Sequence, residues 1–403
     1  MFEKISYAKT VYGQEEIDAV VSCLKRSTQM GYYSRQFESK IAALFEKKYC
    51  LYVNSGSSAL YLAIEAFNFP DFSEIITPAL TFSTTVACLL KNNIKPVFTD
   101  VTSRTFCIDV NQIEPLINNK TVAILAPNLM GNLCDWGNIR KIADKYNLVV
   151  IEDSADTLGG KLSNGKLSGS FTDVSITSFY GSHIINCAGN GGALCINDKD
   201  ALKEAKLLRS WGRSSSLFDE NSESIENRFN VSLDNINYDA KFVFEKAGYN
   251  LEGSEIGAAL GAAFGLAQLK KLENNIKIRQ QNFRKQVKFF EKLKTYFINP
   301  LETEGANTAW LAFPIIIKED APFSRRDFQI YLEERDIQTR VVFTGNITRQ
   351  PMLRSIDFVV TNEGLINSDI IMERGVLLPL HHGMKESMFN RLHETIIEFL
   401  SKF

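Results

Sequence analysis

The run Cys50–Phe67, CLYVNSGSSALYLAIEAF, decides how the chain is read. Its opening CLYVNS is a short apolar segment of the length of a buried strand, and its closing SALYLAIEAF spaces apolar residues at helical intervals. Between the two, Asn54-Ser55-Gly56-Ser57-Ser58 places hydroxyls and free amides at a helix N-terminus, where an anion such as phosphate can sit. The same residues would also serve as a serine N-cap with no ligand.

Outward from this stretch the alternation repeats. EEIDAVVSCLKR and RQFESKIAALFEKK precede it with helical spacing. SEIITP, KPVFTDV, TVAILAPNLMG and LVVIED follow as buried strands, separated by the helical TVACLLKNN, NQIEPLINN and NIRKIADKYN. This order predicts an α/β fold with a mainly parallel sheet between helices, in which ligands gather at the C-terminal ends of the strands. After Trp211 the chain turns polar and loses its period, predicting a surface excursion over about 212–246. SEIGAALGAAFGLAQLKKLENNIKIRQQNFRKQVKFFEKLK then reads as one or two long helices. Beyond about Pro300 the order is strand (AWLAFPIIIK), helix (RRDFQIYLEERD), strand (QTRVVF) and helix (ESMFNRLHETIIEFLSKF). The expected organisation is a large domain, 1–285, and a smaller C-terminal α+β domain, 286–403.

Composition narrows the partners. The 403 residues carry 45 Lys+Arg against 47 Asp+Glu, with no basic cluster, so the chain lacks the electrostatic footprint of a nucleic-acid or anionic-membrane binder. No apolar run is long enough to span a bilayer and the first residues lack a secretory pattern, so a cytoplasmic protein is expected. Seven scattered cysteines without a CxxC pair are expected to be buried, reduced thiols, with no metal site.

Three further features sit where strands end. In TPALTFSTT, Phe82 either stacks on a flat ring or joins the core. After LVVIED, Asp153 and Asp156 either cap a loop or place a carboxylate where it can pair with a protonated ring nitrogen. Ser178-Phe-Tyr-Gly-Ser-His183 leads into Gly189-Asn190-Gly191-Gly192, a loop where backbone can approach a ligand.

Together, SGSSAL, TPALTFSTT, IEDSADTLGG, TSFYGSH, AGYNLEGSEIGAALGAAFGLAQL and VLLPLH resemble the sugar aminotransferase family of fold-type-I pyridoxal-phosphate (PLP) enzymes over nearly the whole chain. The resemblance implies that Gly56 and Ser57 hold the cofactor phosphate and that Phe82 stacks on the ring. It also implies that Asp153 pairs with the pyridine nitrogen and that Asp156 lies beside the ring hydroxyl. Ser178 would reach the phosphate, and Asn250 would reach it from the other subunit of a homodimer. Where the family's aminotransferases carry the Schiff-base lysine, this chain has His183, whose imidazole cannot form that bond.

Histidine at that place is similar to the family's 3-dehydratases of nucleotide-linked 4-keto-6-deoxyhexoses, which the chain also resembles in NLMGNL, LRSWGR, FVFEKAGYN and TRVVFTGNITRQP. That likeness implies pyridoxamine phosphate (PMP) or PLP held without a tether, loss of the sugar's C3 hydroxyl, and His183 as the base. One branch of these dehydratases carries a [2Fe-2S] cluster. Here Ala155 stands near the place of its first cysteine, and SSSLFDENSESIENRF after Trp211-Gly212-Arg213 contains none, so a cluster-free enzyme reset by an amino donor such as glutamate is expected. Asn190 stands where those relatives usually carry Glu. Two other readings are an aminotransferase using a free amine donor, and a non-catalytic paralogue that binds a nucleotide sugar.

Overall fold

The computed structural model describes residues 3–26, 29–218, 225–229 and 231–403. Positions 219–224 and 230, part of the expected surface excursion, lie outside the described residues.

Seven strands come first: β1 (Tyr49–Val53), β2 (Glu74–Pro78), β3 (Lys95–Thr99), β4 (Thr121–Pro127), β5 (Val149–Ser154), β6 (Val174–Ser178) and β7 (Gly192–Ile196). A short hairpin follows, β8 (Val231–Leu233) and β9 (Ile236–Tyr238), and then β10 (Phe297–Ile298), β11 (Phe313–Ile317), β12 (Val359–Val360) and β13 (Gly375–Leu378). The main sheet has eight strands in the order β1-β7-β6-β5-β4-β2-β3-β12. Every neighbouring pair is parallel except the two made by β7, which runs against both β6 and β1.

Side chains alternate between the two faces of each central strand. Ile75, Leu125 and Ile151 join the helix Gly56–Glu65 in one core, while Ile76, Ile124 and Val150 join the helix Trp136–Tyr146 in another. Both faces being covered, the strands read as continuous apolar runs, as their sequence suggests.

Two sequence expectations are corrected. NQIEPLINN does not form an α-helix; it makes two single 3-10 turns, Val110–Gln112 and Glu114–Leu116. Pro115 lacks the N–H that a continued helix needs and disfavours α backbone in the residue before it. QTRVVF is not a strand either, since it makes one bridge, Arg340 to Leu377, before the chain turns with positive φ at Phe343 (46°) and Gly345 (61°). The third strand of the small antiparallel sheet, β10-β11-β13, comes instead from Gly375–Leu378.

The described part of the polar excursion contains the hairpin β8–β9. Its two-residue turn, Asp234-Asn235, has positive φ at both positions, the geometry that matches strand twist and that Asp and Asn tolerate.

The long-helix region forms two helices, Glu255–Leu269 and Leu272–Phe290. The division placed at 285/286 falls inside the second, so a continuous helix crosses it. Phe283 and Phe290 on that helix pack with Trp310, Phe313, Phe328 and Phe399 in a core that also takes in Leu80 and Met130 beside the main sheet. Trp310 is fully buried and stacks on Phe283 at 4.7 Å. Trp310→Ala should therefore cost about 3–5 kcal/mol of stability, read as a lower urea midpoint. An unchanged midpoint would show that this core does not join the two parts.

Candidate active site

The C-terminal ends of β1, β2, β4, β5 and β6 converge on one cavity of about 350 Å³. Its wall includes Gly56, Ser57, Phe82, Asn128, Asp153, Asp156, Ser178, His183 and Asn190. Six of the seven residues expected to hold the cofactor, together with the expected base, are thus brought to one place from four strand ends.

At the end of β1 the helix Gly56–Glu65 begins, and Ser55 caps it by accepting from the Ser58 N–H at 3.1 Å. The cap is Ser55, which leaves the first-turn N–H groups of Gly56 and Ser57 without intrahelical acceptors. A Cβ on Gly56 would come within 2.7 Å of the Ser178 Cβ, and one on Gly192 within 2.3 Å of the Ser55 carbonyl. The helix N-terminus, the end of β6 and the start of β7 therefore meet at backbone distance. The gap they frame is a concave, donor-lined corner suited to a phosphate.

Phe82 is the N-cap residue of the helix Ser83–Lys91 and is 50% exposed. It is not a core residue: its ring meets the cavity, with Phe343 edge-on at 6.1 Å.

Asp153, near the end of β5, accepts from Thr85 Oγ1 at 2.9 Å and from the Ala155 N–H at 3.1 Å. Burial pushes its carboxyl up to about 6. Asp156 accepts from the Met130 N–H at 2.8 Å, and burial pushes it up to about 7. Both acids lie in a largely apolar wall, and a cationic ring nitrogen beside Asp153 would favour its charged form against that burial.

His183 is held by its own loop. Its Nδ1 lies 3.0 Å from the Ser178 carbonyl oxygen. A carbonyl only accepts, so Nδ1 carries the proton and Nε2 presents a lone pair. Nε2 is 3.9 Å from Asp156 Oδ1, too far for a hydrogen bond. Burial, followed by the charge of Arg279, lowers the imidazole to about 4, so the ring is neutral near pH 7.

Asn250 does not reach this cavity. Its Nδ2 donates to the Gly253 carbonyl at 2.7 Å, and its Oδ1 accepts from the Glu252 and Gly253 N–H groups at 3.1 Å, closing its own loop. Asn190 lines the wall and accepts from the Gly191 N–H at 3.0 Å. Sequence reasoning missed Tyr7, Asn128, Leu311 and Phe343 in the wall, and Thr85 behind Asp153. Thr85 lies inside the TFSTT motif and was within reach; Tyr7 and Phe343 come from distant parts of the chain and carry no local signal.

All seven cysteines are buried and none forms a disulfide. Among the described residues no group of three or more His, Cys, Asp or Glu is arranged to hold a metal, and no helix is long and apolar enough to cross a membrane.

A mainly parallel sheet whose strand ends bring a donor-lined corner, an exposed aromatic ring and two buried carboxylates to one cavity could hold a flat, phosphorylated ring. Residues 11–397 match the model of the DegT/DnrJ/EryC1/StrS aminotransferase family, and the chain belongs to that family. The lipopolysaccharide biosynthesis protein RfbH of Salmonella typhimurium is 32% identical over 93% of this chain and 86% of its own length. The dTDP-4-dehydro-2,6-dideoxy-D-glucose 3-dehydratase of Saccharopolyspora spinosa is 31% identical over 96% of this chain and 84% of its own. A solved structure of the Escherichia coli GDP-4-keto-6-deoxy-D-mannose 3-dehydratase with bound hydrated PLP has a TM-score of 0.84 at 27% identity, covering 98% of this chain and 99% of that one. A structure of a GDP-4-keto-6-deoxymannose 3-dehydratase holds a trapped PLP-glutamate geminal diamine. Aminotransferase relatives match too: a GDP-perosamine synthase of Caulobacter vibrioides is 27% identical over 96% of both chains.

Two predictions follow from the geometry. Gly56→Ala should weaken PLP binding by about tenfold or more, because overpacking costs about 1–3 kcal/mol; a spectrophotometric titration with an unchanged dissociation constant would show that the corner is not the phosphate site. The folded value of His183 lies below its usual 6.5, so its contribution to stability is present above pH 6.5 and is lost as pH falls toward 4. Histidine-selective NMR of the cofactor-free chain should find its midpoint well under 6.5, whereas a midpoint at or above that value contradicts the burial described.

Proposed function

We propose that this protein binds PMP and PLP without a covalent tether and removes the C3 hydroxyl of a nucleotide-linked 4-keto-6-deoxyhexose. The observation that carries the reading is His183: the residue at the family's Schiff-base position has no amine, and its Nδ1 is pinned so that Nε2 faces the cavity as a neutral base. The bound cofactor supplies an amine that condenses with a ketone and a protonated ring that accepts electrons.

The chain's own residues orient the bound ring and move a proton. The N–H groups of Gly56 and Ser57, with Ser178, hold the phosphate, and Phe82 covers one face of the ring. Asp153 would pair with the ring nitrogen, each stabilising the charge of the other where burial opposes it. Asp156 sits beside the ring hydroxyl. His183 Nε2 would take the proton from the cofactor's exocyclic carbon, C4′, and could pass it to the departing C3 hydroxyl, which leaves as water. Asn250 comes from a second copy of the chain in a homodimer. Support for this is the exposed, apolar Phe242, Phe244 and Tyr249 close to it in sequence, a surface of the kind that marks an interface. Glutamate is the proposed amino donor, in keeping with the adduct held by the dehydratase neighbour. No iron–sulfur cluster takes part in this reading, and the proposed location is the cytoplasm.

The second reading, a sugar aminotransferase, is favoured by the GDP-perosamine synthase relatives. Single-turnover product analysis separates the readings: dehydration gives a 3-deoxy-4-keto sugar, transamination a 4-amino sugar, and a binding protein no product. His183→Asn should leave PMP bound while lowering C4′ proton exchange and dehydration by ~10²–10⁴-fold. His183→Lys should give a borohydride-reducible attachment of PLP that the native chain lacks. Near-native dehydration by the Asn variant would sink the assignment of the base.

A further inference from the structure

His183 is bracketed from behind by two side chains of one helix. On Leu272–Phe290, Asn275 and Arg279 are four residues apart and share a face. Asn275 Nδ2 donates to the Ile184 carbonyl at 3.0 Å, and Arg279 Nη2 donates to the Ser182 carbonyl at 3.4 Å. These are the carbonyls of the residues on either side of His183. Both side chains are buried, Arg279 completely.

A buried guanidinium is costly unless its N–H groups find acceptors. Arg279 finds them on three separate segments. Besides Ser182, Nη1 donates to the Trp310 and Leu311 carbonyls at 3.1 and 2.9 Å, and Nε donates to His382 Nδ1 at 3.2 Å. Ser182 and Leu311 are themselves in the cavity wall. Among the described residues Arg279 makes no ion pair with a carboxylate at contact distance. The ionisable groups it faces at longer range are Tyr7 and Asp156.

We propose that Asn275 and Arg279 act as a pair of positioning residues that fix the backbone on both sides of His183 and so aim its Nε2 into the cavity. The inference rests on the reading of His183 as the base. An imidazole on a glycine-rich loop has no rigid element of its own to hold it, whereas a helix interior supplies two anchor points one turn apart. Holding Ser182 and Ile184 keeps the turn that lets Nδ1 donate to the Ser178 carbonyl, and this bond selects the tautomer.

Arg279 adds a second effect through its charge. The groups that face His183 are Asp156, Asp153, Tyr7, Tyr180 and, behind Ser182, Arg279; Arg279 in turn faces Tyr7, Asp156, His381 and His382. The guanidinium cation disfavours a second cation, so it helps to keep His183 unprotonated. Removing the cation should raise the midpoint of His183, and removing only the geometry should not.

Three variants separate the two effects. Asn275→Ala removes one anchor and no charge. Arg279→Lys keeps the charge but loses the planar fork that reaches three segments. Arg279→Met loses both. All three should retain PLP binding, since the phosphate corner is built from other elements. On the PMP-loaded protein, C4′ proton exchange should fall about 10–100-fold in each, the loss expected when a reacting group is displaced by about 1 Å. In histidine-selective ¹⁵N NMR, the single Nδ1-protonated tautomer of His183 should give way to a mixture in all three, and the midpoint should rise only in Arg279→Met. Native exchange rates and a native tautomer in folded Asn275→Ala and Arg279→Lys would overturn the proposal. Because the anchors lie on separate residues, a variant that fails to fold leaves the other to decide. If the native protein shows no C4′ exchange, the functional reading fails, and the tautomer measurement still decides the inference.

Discussion

The close approach of Gly56 to Ser178 is the constraint from which the rest of the site follows. Only a residue without a side chain lets the first turn of a helix press against the end of β6, where a Cβ would sit 2.7 Å from its neighbour. Gly192 repeats the condition on the other side, at the start of β7 against Ser55. With both contacts in place, three chain segments leave their N–H groups and hydroxyls around one corner. The antiparallel turn from β6 into β7 then carries His183 back over the same strand ends that hold Asp153 and Asp156.

Inside that enclosure, burial sets the charges before any ligand arrives. It raises both acids and lowers the imidazole, so the ionisable side chains of the cavity are shifted toward their neutral forms. A ring with a basic nitrogen changes the balance at Asp153 alone, because the Asp153 carboxylate and a pyridinium stabilise each other where water is scarce. His183 is left neutral, which is the state that can accept a proton. A lysine in its place would be both a stronger base and a covalent trap, so the substitution changes the tether and the proton acceptor in one step.

Much of the architecture was legible because buried parallel strands and amphipathic helices write their periods into the chain. CLYVNS, KPVFTDV and LVVIED were readable as strands, and SALYLAIEAF as a helix, from pattern alone. The errors arose where one residue outweighed the period. Pro115 broke a helical-looking run into 3-10 turns, and the turn at Phe343–Gly345 pulled an apolar stretch out of the small sheet. The hairpin at Asp234-Asn235 went unread because its strands are three residues long and mostly exposed, too short for the alternation in Val-Ser-Leu and Ile-Asn-Tyr to stand out as a period.

The sequence by itself determined the local chemistry: a serine-glycine corner after the first strand, carboxylates after the fifth, and a histidine where the family carries lysine. Those are properties of short contiguous stretches, and each strand of a parallel sheet delivers its own stretch to the same edge. Only the tertiary structure decided how that chemistry is held. The tautomer of His183 depends on a carbonyl five residues back, its loop on Asn275 and Arg279 nearly a hundred residues on, and the outer wall on Tyr7, Leu311 and Phe343 from distant parts of the chain. Contacts across such separations leave no period in the sequence, because the residues that make them need only the right reach and polarity at one point.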